Sequence, residues 1–534
     1  MRTCKLCLEQ LESRELLSAV AAPFAVPTYK VKTNGGIGAP LSSAGPNGYT
    51  PTQIRHAYGF DQIKFASGTI AGDGTGMTIA IVDAYDDPNM VSDLKAFDTQ
   101  FSLPGNATDN NMSFFTKVNQ NGNASPLPTA SGSTGWSEET SLDVEWAHAI
   151  APGAKILLVE TNSSSFGNLF TGVDTASNWS GVVAVSMSWG GGEFSGESVF
   201  DSHFTHANIT YLVSSGDTGA PDSYPSSSPN VVSVGGTNLK LDGSNNWSVE
   251  TGWSGSGGGI SAYEPQPSYQ SGVVNAWSTT KRTNPDVSYD SDPNTGFPVY
   301  DSYDFGTSAP WAQFGGTSDA APQWAALIAI ADQGRNLNGL APLSGATDTL
   351  PKLYALPAAD FHDITGGTST GHPNYTATTG YDLVTGMGTP FANLVVSGLG
   401  ATVQAPPAVQ IADDSTSQAF ATTGAWVAYS GSGPMYDGNM HYAPAGTGAN
   451  VASWTFTVTP GLFRVSSTWW AWAGRASNAP YTVLDGSTSQ GTVLVNQQLD
   501  PSGLSDQGST WQDLGTFTIF GNQLVVQLSD NADG

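Results

Sequence analysis

Glu145-Trp146-Ala147-His148-Ala149-Ile150-Ala151-Pro152-Gly153-Ala154-Lys155-Ile156-Leu157-Leu158-Val159 reads as the end of a helix, a Pro-Gly turn and an apolar strand. Proline cannot continue the helical ladder and glycine frees the backbone to turn, so the strand must start within a few residues. Outward from this unit, runs at 77–82, 182–188, 209–214 and 231–234 are as apolar and β-branched as 155–159. That is the pattern of strands buried on both faces. Between them, 137–150 and 166–178 carry helical spacing, and helix returns at 318–335 after a Gly/Ser/Trp-rich stretch. The alternation predicts an α/β body on a doubly wound parallel sheet, over residues 49–400. Past residue 400, runs at 453–459, 462–468, 482–485, 491–496, 515–520 and 523–528 alternate with period two between Gly and Pro turns. They predict an antiparallel β-sandwich over 409–534, with Pro406 and Pro407 in the linker.

Composition narrows the function. The 534 residues carry 45 acids against 17 bases, a formal net charge of −28, a surface that repels phosphate backbones and argues against nucleic-acid binding. Hydrophobic residues make up 39% of the chain, enough for packed cores, and no run approaches the roughly 20 apolar residues of a membrane span. The cysteines, Cys4 and Cys7, both precede the body, so the body holds no disulfide, and one Cys-x-x-Cys pair is too few ligands for zinc. Residues 1–23 are too acidic, with too short an apolar run, for an ordinary signal peptide. Their Leu-Glu-x-Arg-x-Leu-Leu-Ser pattern resembles leaders of bacterial surface and secreted proteins, so the expected location is extracellular or on the cell surface. Residues 24–48 are rich in Pro, Gly, Ser and Ala without periodicity and are expected to form a flexible tether.

Three segments carry candidate chemistry. Gly315-Gly316-Thr317-Ser318-Asp319-Ala320-Ala321-Pro322 leads into an apolar helix; small residues admit a substrate backbone, and a serine in the first turn has the positive end of the helix beside its Oγ. An ordinary helix cap with Pro in the first turn carries the same residues. A nucleophilic serine needs a base. The turn Ala151-Pro152-Gly153-Ala154-Lys155 resembles that of subtilisin-like proteases, which implies a histidine near the start of the preceding helix, well before His148; at that place stands Glu139, and Asp143, four residues on, stacks on the same helical face. Like charges at that spacing are unfavourable unless they share a proton. Asp217, in Val213-Ser214-Ser215-Gly216-Asp217-Thr218-Gly219, ends an apolar strand, where open α/β sheets assemble sites; a turn-forming Asp before Gly is the plainer reading.

Together with Tyr49-Thr50-Pro51-Thr52-Gln53-Ile54-Arg55, Ile79-Ala80-Ile81-Val82-Asp83-Ala84-Tyr85-Asp86-Asp87-Pro88, Val185-Ser186-Met187-Ser188-Trp189-Gly190 and Gly252-Trp253-Ser254-Gly255-Ser256-Gly257-Gly258-Gly259, these segments resemble the sedolisin family, serine-carboxyl peptidases on a subtilisin-like fold. The resemblance spans residue 49 to about 399. It implies Ser318 as nucleophile, Glu139 as general base, Asp143 as its orienting acid, Asp217 as the oxyanion-hole group, and Ser188, Trp189 and Gly190 as substrate-binding backbone. A glutamate, with an ordinary pKa of about 4.3, works as a base well below histidine's 6.5 or so, so an acidic optimum is expected. Polypeptides are the implied substrates, cut internally or as tripeptides from an N-terminus, by a monomer.

Phe361-His362-Asp363-Ile364-Thr365-Gly366-Gly367 and Thr378-Thr379-Gly380-Tyr381-Asp382 offer two carboxylates around a carbonyl-exposing loop, the oxygen set that Ca²⁺ prefers. The resemblance implies one Ca²⁺ on Asp363, Ile364, Thr378, Gly380 and Asp382; Asx turns in an ordinary loop are the alternative. The C-terminal region resembles the golvesin and xanthan-lyase carbohydrate-binding-like sandwich through Ile411-Ala412-Asp413-Asp414, Ala452-Ser453-Trp454-Thr455-Phe456, Asn478-Ala479-Pro480-Tyr481-Thr482-Val483, Trp511-Gln512-Asp513-Leu514-Gly515 and Ser529-Asp530-Asn531-Ala532-Asp533-Gly534. In that family another strand follows the last motif, so an open sheet edge is expected. Trp469, Trp470 and Trp472 offer a stacking platform for a glycan, although alternation places Trp470 or its neighbours in the core. Asp319 after the nucleophile and the mere 48 residues before the body depart from the family pattern. They favour a competing reading, an inert peptidase-fold surface protein with an adhesive sandwich.

Overall fold

The computed structural model describes residues 24–33, 40–66, 68–104, 112–401, 410–415, 419–431, 433, 435–458, 461–506 and 508–534. The chain divides into two compact units, Met1–Gln404 and Ala405–Gly534. The leader with Cys4 and Cys7, and the linker prolines 406 and 407, lie outside the described residues.

The first unit is built on β1 (Thr78–Ala84), α1 (Met90–Phe101), β2 (Phe115–Asn119), α2 (Trp136–Ile150), β3 (Lys155–Thr161), α3 (Phe166–Ser177), β4 (Val182–Met187), β5 (Thr210–Ser214), β6 (Val232–Leu241), β7 (Trp247–Gly252), β8 (Val287–Asp290) and α4 (Thr317–Leu337). The strands form one sheet in the order β7-β6-β5-β4-β1-β3-β2, with β8 also paired to β6. All pairings are parallel except β6 with β7. The alternation of apolar strands with helices therefore gives the doubly wound parallel sheet expected, and strands β1, β4 and β5 are buried throughout. One face packs on α2 and α4, which also pack on each other; the other packs on α3. Because β1 pairs with β3 on one side and β4 on the other, the winding reverses between β1 and β4. The crevice at a reversal opens beyond the carboxyl ends of the strands.

Helix α4 departs from its sequence reading. Its cap is Gly316, with a φ of +105°, Thr317 and Ser318 are its first residues, and Pro322 lies inside the helix rather than in its first turn. Arg282 and Asp286, both fully buried, are joined by hydrogen bonds of 2.7 and 2.6 Å and secure the approach to β8.

Residues 24–33 and 40–48 are not the loose tether expected. Val26–Pro27, Lys30–Val31 and Ser42–Ser43 are strands paired to the body. Such pairing uses backbone groups that every residue but proline carries, so it leaves no side-chain periodicity to read.

The C-terminal unit is an antiparallel sandwich. A five-stranded sheet runs Phe420–Thr423, Val451–Thr457, Gln523–Ser529, Ala479–Asp485, Thr488–Val495, and Gly461–Ser467 pairs with Gln512–Ile519. Tyr481, Val483, Leu514, Ile519, Leu524 and Val526 form its core. The last strand is not an edge: Gln523–Ser529 is paired on both sides.

The first unit buries many carboxyls with few cations to neutralise them. Burial above all raises Asp98 to about 8, Asp301 to about 8, Asp87 to about 7 and Asp332 to about 7, the last two against the charges of Lys117 and Arg335. The native state therefore holds protons that the unfolded chain releases near pH 4, so their stabilising contribution is complete below about pH 4 and is lost as pH rises through about 7–8. Urea unfolding midpoints should fall steadily from pH 4 to pH 8; a midpoint flat or rising over that range would contradict the buried-acid account.

Candidate active site

The candidate catalytic residues stand on or just beyond elements bordering the crevice. Glu139 and Asp143 lie on α2, one turn apart and fully buried. Ser318 is in the first turn of α4, the helix packed against α2. Asp217 follows β5, and Ser188 follows β4. The glycine run 255–259 lies against the Asp217 turn, with Gly257 N–H donating to the Gly216 carbonyl at 2.7 Å. A Cβ at Gly257 would stand 2.1 Å from the Ser215 carbonyl oxygen, so only glycine permits this approach.

Neither carboxyl oxygen of Glu139 has a partner of full hydrogen-bond geometry, yet the Ser318 hydroxyl lies near enough to favour its ionised form. Burial raises Glu139 strongly, and Asp143, Asp83 and Asp217 raise it further by like charge. Asp143 is raised by burial and then by Asp83, against the hydrogen bonds of Ser188 and Glu139. Ser188 Oγ lies 2.8 Å from Asp143 Oδ1 and 3.1 Å from the Ser318 carbonyl oxygen. That carbonyl is free to accept because Pro322, four residues on, has no N–H.

Asp217 is held by Thr317, whose N–H and hydroxyl donate to Oδ1 at 2.8 and 2.9 Å. Its Oδ2 is buried without a partner. Burial lifts Asp217 to about 7, against the Thr317 hydrogen bonds and the charge of Lys30. A Cβ on Gly316 would stand 2.6 Å from both Asp217 Oδ2 and the Thr28 carbonyl oxygen, so the glycine before the nucleophile keeps this spot open.

Sequence reasoning missed Asp83. It ends β1 fully buried, with both oxygens unpartnered, and burial lifts it to about 7. The signal that marked Asp217, an acid at the end of an apolar strand, was present there too. Asp319 does not face the cleft. Its Oδ1 accepts from Gln323 Nε2 at 3.1 Å, and burial, then Asp290, keep it far above the ordinary carboxylate range, so it adds no charge beside Ser318. His148 is buried on another part of α2 and lowered to about 4 by burial, outside the site. Trp189 is also buried, its indole N–H donating to the Val82 carbonyl, which leaves only backbone of residues 188–190 facing the cleft.

Asp363 and Asp382 close on one turn. Gly380 N–H donates to both Asp363 oxygens at 3.0 and 3.2 Å, and Thr378 N–H to Asp382 Oδ2 at 2.9 Å. Asp382 is fully buried, meets no cation in these contacts and is raised to about 6 by burial. Among the described residues no three His, Cys, Asp or Glu side chains gather. A cation here would complete its shell with carbonyls, which is calcium's habit rather than zinc's; the donor set fits.

In the C-terminal unit a cleft of about 860 Å³ is lined by Trp426, Trp469, Trp470, Trp472 and Trp511, among others. Trp469 packs on the core, as alternation suggested for one of the three, whereas Trp472 is exposed. Among the described residues, no helix is long and apolar enough to cross a membrane.

Comparison with known proteins agrees with this fold. Residues 132–349 match the subtilase family and residues 410–534 the golvesin C-terminal domain. Kumamolisin of Bacillus sp. (strain MN-32) is 30% identical over 416 residues, 71% of this chain and 68% of that protein. Sedolisin of Pseudomonas sp. (strain 101) is 30% identical over 391 residues, 65% of this chain and 60% of that one. Tripeptidyl-peptidase 1 of Rattus norvegicus is 32% identical over 209 residues, 34% of this chain and 36% of that one. The solved structure of Pseudomonas sedolisin, a serine-carboxyl proteinase complexed with two molecules of pseudo-iodotyrostatin, superposes with a TM-score of 0.55 at 25% identity, over 66% of this chain and 98% of that one. The chain thus belongs to the sedolisin family of serine-carboxyl peptidases.

Proposed function

We propose that this protein is exported and hydrolyses peptide bonds in acid with Ser318 as nucleophile, Glu139 as general base, Asp143 as the acid that orients it and Asp217 as oxyanion donor. What carries the reading is the convergence of Ser318, Glu139, Asp143 and Asp217 on one buried spot without a histidine among them. Asp83, through its charge on Glu139 and Asp143, is a positioning residue. The backbone of Ser188, Trp189 and Gly190 takes the substrate strand. Export rests on the leader-like pattern of residues 1–23. The inert-scaffold reading loses one of its two supports, because Asp319 is buried against Gln323.

The proton count follows from electrostatics. Three buried carboxyls in contact release a first proton far more readily than a second. For Glu139 to act as the base that charge must stand on it, as the Ser318 hydroxyl favours, while Asp143 keeps a proton. Glu139 takes the Ser318 proton as Oγ attacks the carbonyl carbon, and the oxyanion forms between Ser318 N–H and protonated Asp217. An ionised Asp217 would repel it. Glu139 then gives the proton to the leaving amine, and water hydrolyses the ester by the same route.

Ser318→Ala and Glu139→Gln should each lower hydrolysis of an unfolded protein by roughly 10⁴–10⁶-fold. Peptidase rate should peak in acid and decline as pH passes about 7, where Asp217 ionises. An amide donates at every pH, so Asp217→Asn should be slower but lack that decline; a variant that keeps it would remove Asp217 from the oxyanion role.

Asp363 and Asp382 side chains with the carbonyls of Ile364, Thr378 and Gly380 would hold one Ca²⁺, which braces the loop by neutralising a buried carboxylate. Calcium at a hundred times its Kd should stabilise by about 2.7 kcal/mol, read as a melting temperature that drops with EGTA. In Asp382→Asn that response should vanish. The tryptophan-lined cleft supports glycan binding by the C-terminal unit, since flat apolar rings stack on sugar faces. Trp472→Ala should then weaken retention on immobilised oligosaccharide; unchanged retention, or none in either protein, counts against it.

A further inference from the structure

Residues 26–31 follow both edges of the crevice, and their register marks where the side chains of an extended polypeptide fall. Val26 and Pro27 pair antiparallel with Gly190 and Trp189, and Lys30 and Val31 with Gly315 and Phe314. Between these pairs the Thr28 carbonyl accepts from Ser318 N–H at 3.0 Å, in the space beside Gly316 that Asp217 Oδ2 also borders. Thr28 thus stands where a substrate residue with the attacked carbonyl would stand. Tyr29 stands where the residue carrying the leaving amine would stand.

A recess shaped for a phenol receives Tyr29. Its hydroxyl donates to Glu138 Oε2, and its ring lies against Phe314 with centroids 5.5 Å apart and planes at 38°. Gly135, the cap of α2 with a φ of +84°, forms the wall. A Cβ there would stand 2.6 Å from the phenol oxygen and 3.5 Å from Cε1, so glycine leaves the room that a ring with a para hydroxyl needs. The first turn of α2 therefore carries two acids with different partners: Glu139 beside Ser318 and Glu138 at the phenol.

We infer that the recess formed by Gly135, Glu138 and Phe314 selects tyrosine as the residue directly after the bond that is cut. The inference rests on the peptidase reading above and names the side chain its site favours. Phenylalanine would fill the recess but strand the carboxyl of Glu138 against an apolar ring edge, a loss that a site built around a hydroxyl penalises. Glu138 is half-buried, so the loss is smaller than in a closed pocket. Burial raises Glu138 and the charge of Asp304 raises it further, against the hydrogen bond of Tyr29. In acid the carboxyl is therefore neutral and offers a lysine or arginine no counter-charge.

Matched peptides that differ only in the residue after one scissile bond test this with the full chain in acid, the products being identified by mass spectrometry. With tyrosine there, kcat/KM should exceed the values for phenylalanine, lysine and alanine by about tenfold or more. Glu138→Leu should bring the tyrosine-to-phenylalanine ratio down to about one or below. Glu138→Gln, whose amide oxygen still accepts from a phenol, should keep most of it. A ratio near one in the unaltered protein, or a preference for tyrosine that survives Glu138→Leu, would overturn this inference and leave the peptidase reading standing. Cleavage of none of the peptides would overturn both.

Discussion

Taking carboxyls out of water with few cations to meet them governs the whole first unit. The chain supplies 17 lysines and arginines for 45 acids, and Asp83, Glu139, Asp143 and Asp217 are all buried. In a low-dielectric interior such groups keep their protons unless something compensates the charge. The neutral and ionised states therefore sort by local contact. Thr317 and Lys30 partly offset burial at Asp217, whereas Glu139 has little beyond one serine hydroxyl. Peptide chemistry at such a site depends on which carboxyl gives up the first proton, a matter of neighbours rather than of residue type.

The sheet makes that sorting geometrical. Reversal of the winding between β1 and β4 gathers strand ends carrying Asp83, Ser188 and Asp217, and the helices above supply Glu139, Asp143 and Ser318. Acids far apart in sequence thereby share one desolvated volume, Asp83, Glu139 and Asp143 on regular elements and Asp217 in the turn just beyond β5. The two edges of the crevice, residues 189–190 and 313–315, offer unpaired backbone to any extended chain, and the chain's own residues 26–31 take both.

Much of this was legible in the residues. The apolar runs and helical stretches predicted the body because burial on both faces forces that composition, and the spacing of Glu139 and Asp143 placed both on one helical face. Three features were not legible. The path of residues 24–31 depends on backbone pairing with distant partners such as Ser165, Gly190 and Gly315, which no local pattern encodes. Asp83 closes an apolar strand as Asp217 does, but nothing in its local sequence says that Glu139 and Asp143 lie beside it. Asp319 was expected to disturb the site, but whether an acid carries charge depends on what surrounds it, and here Gln323 and Asp290 do. The tryptophans at 469, 470 and 472 all line the cleft, Trp469 also packing on the core, and they lie past the end of the strand Gly461–Ser467, where alternation no longer applies.

Pro322 has an effect out of proportion to its place. By leaving the Ser318 carbonyl without a helical donor, it lets Ser188 lie between that carbonyl and Asp143 with a single hydrogen to give. When Asp143 is neutral, that hydrogen can tilt toward the helix; when it is charged, the carboxylate outbids the carbonyl. The first turn of the helix is thus tethered or slack according to the electrical state of a group two contacts away, a mechanical readout of titration written into the backbone beside the nucleophile.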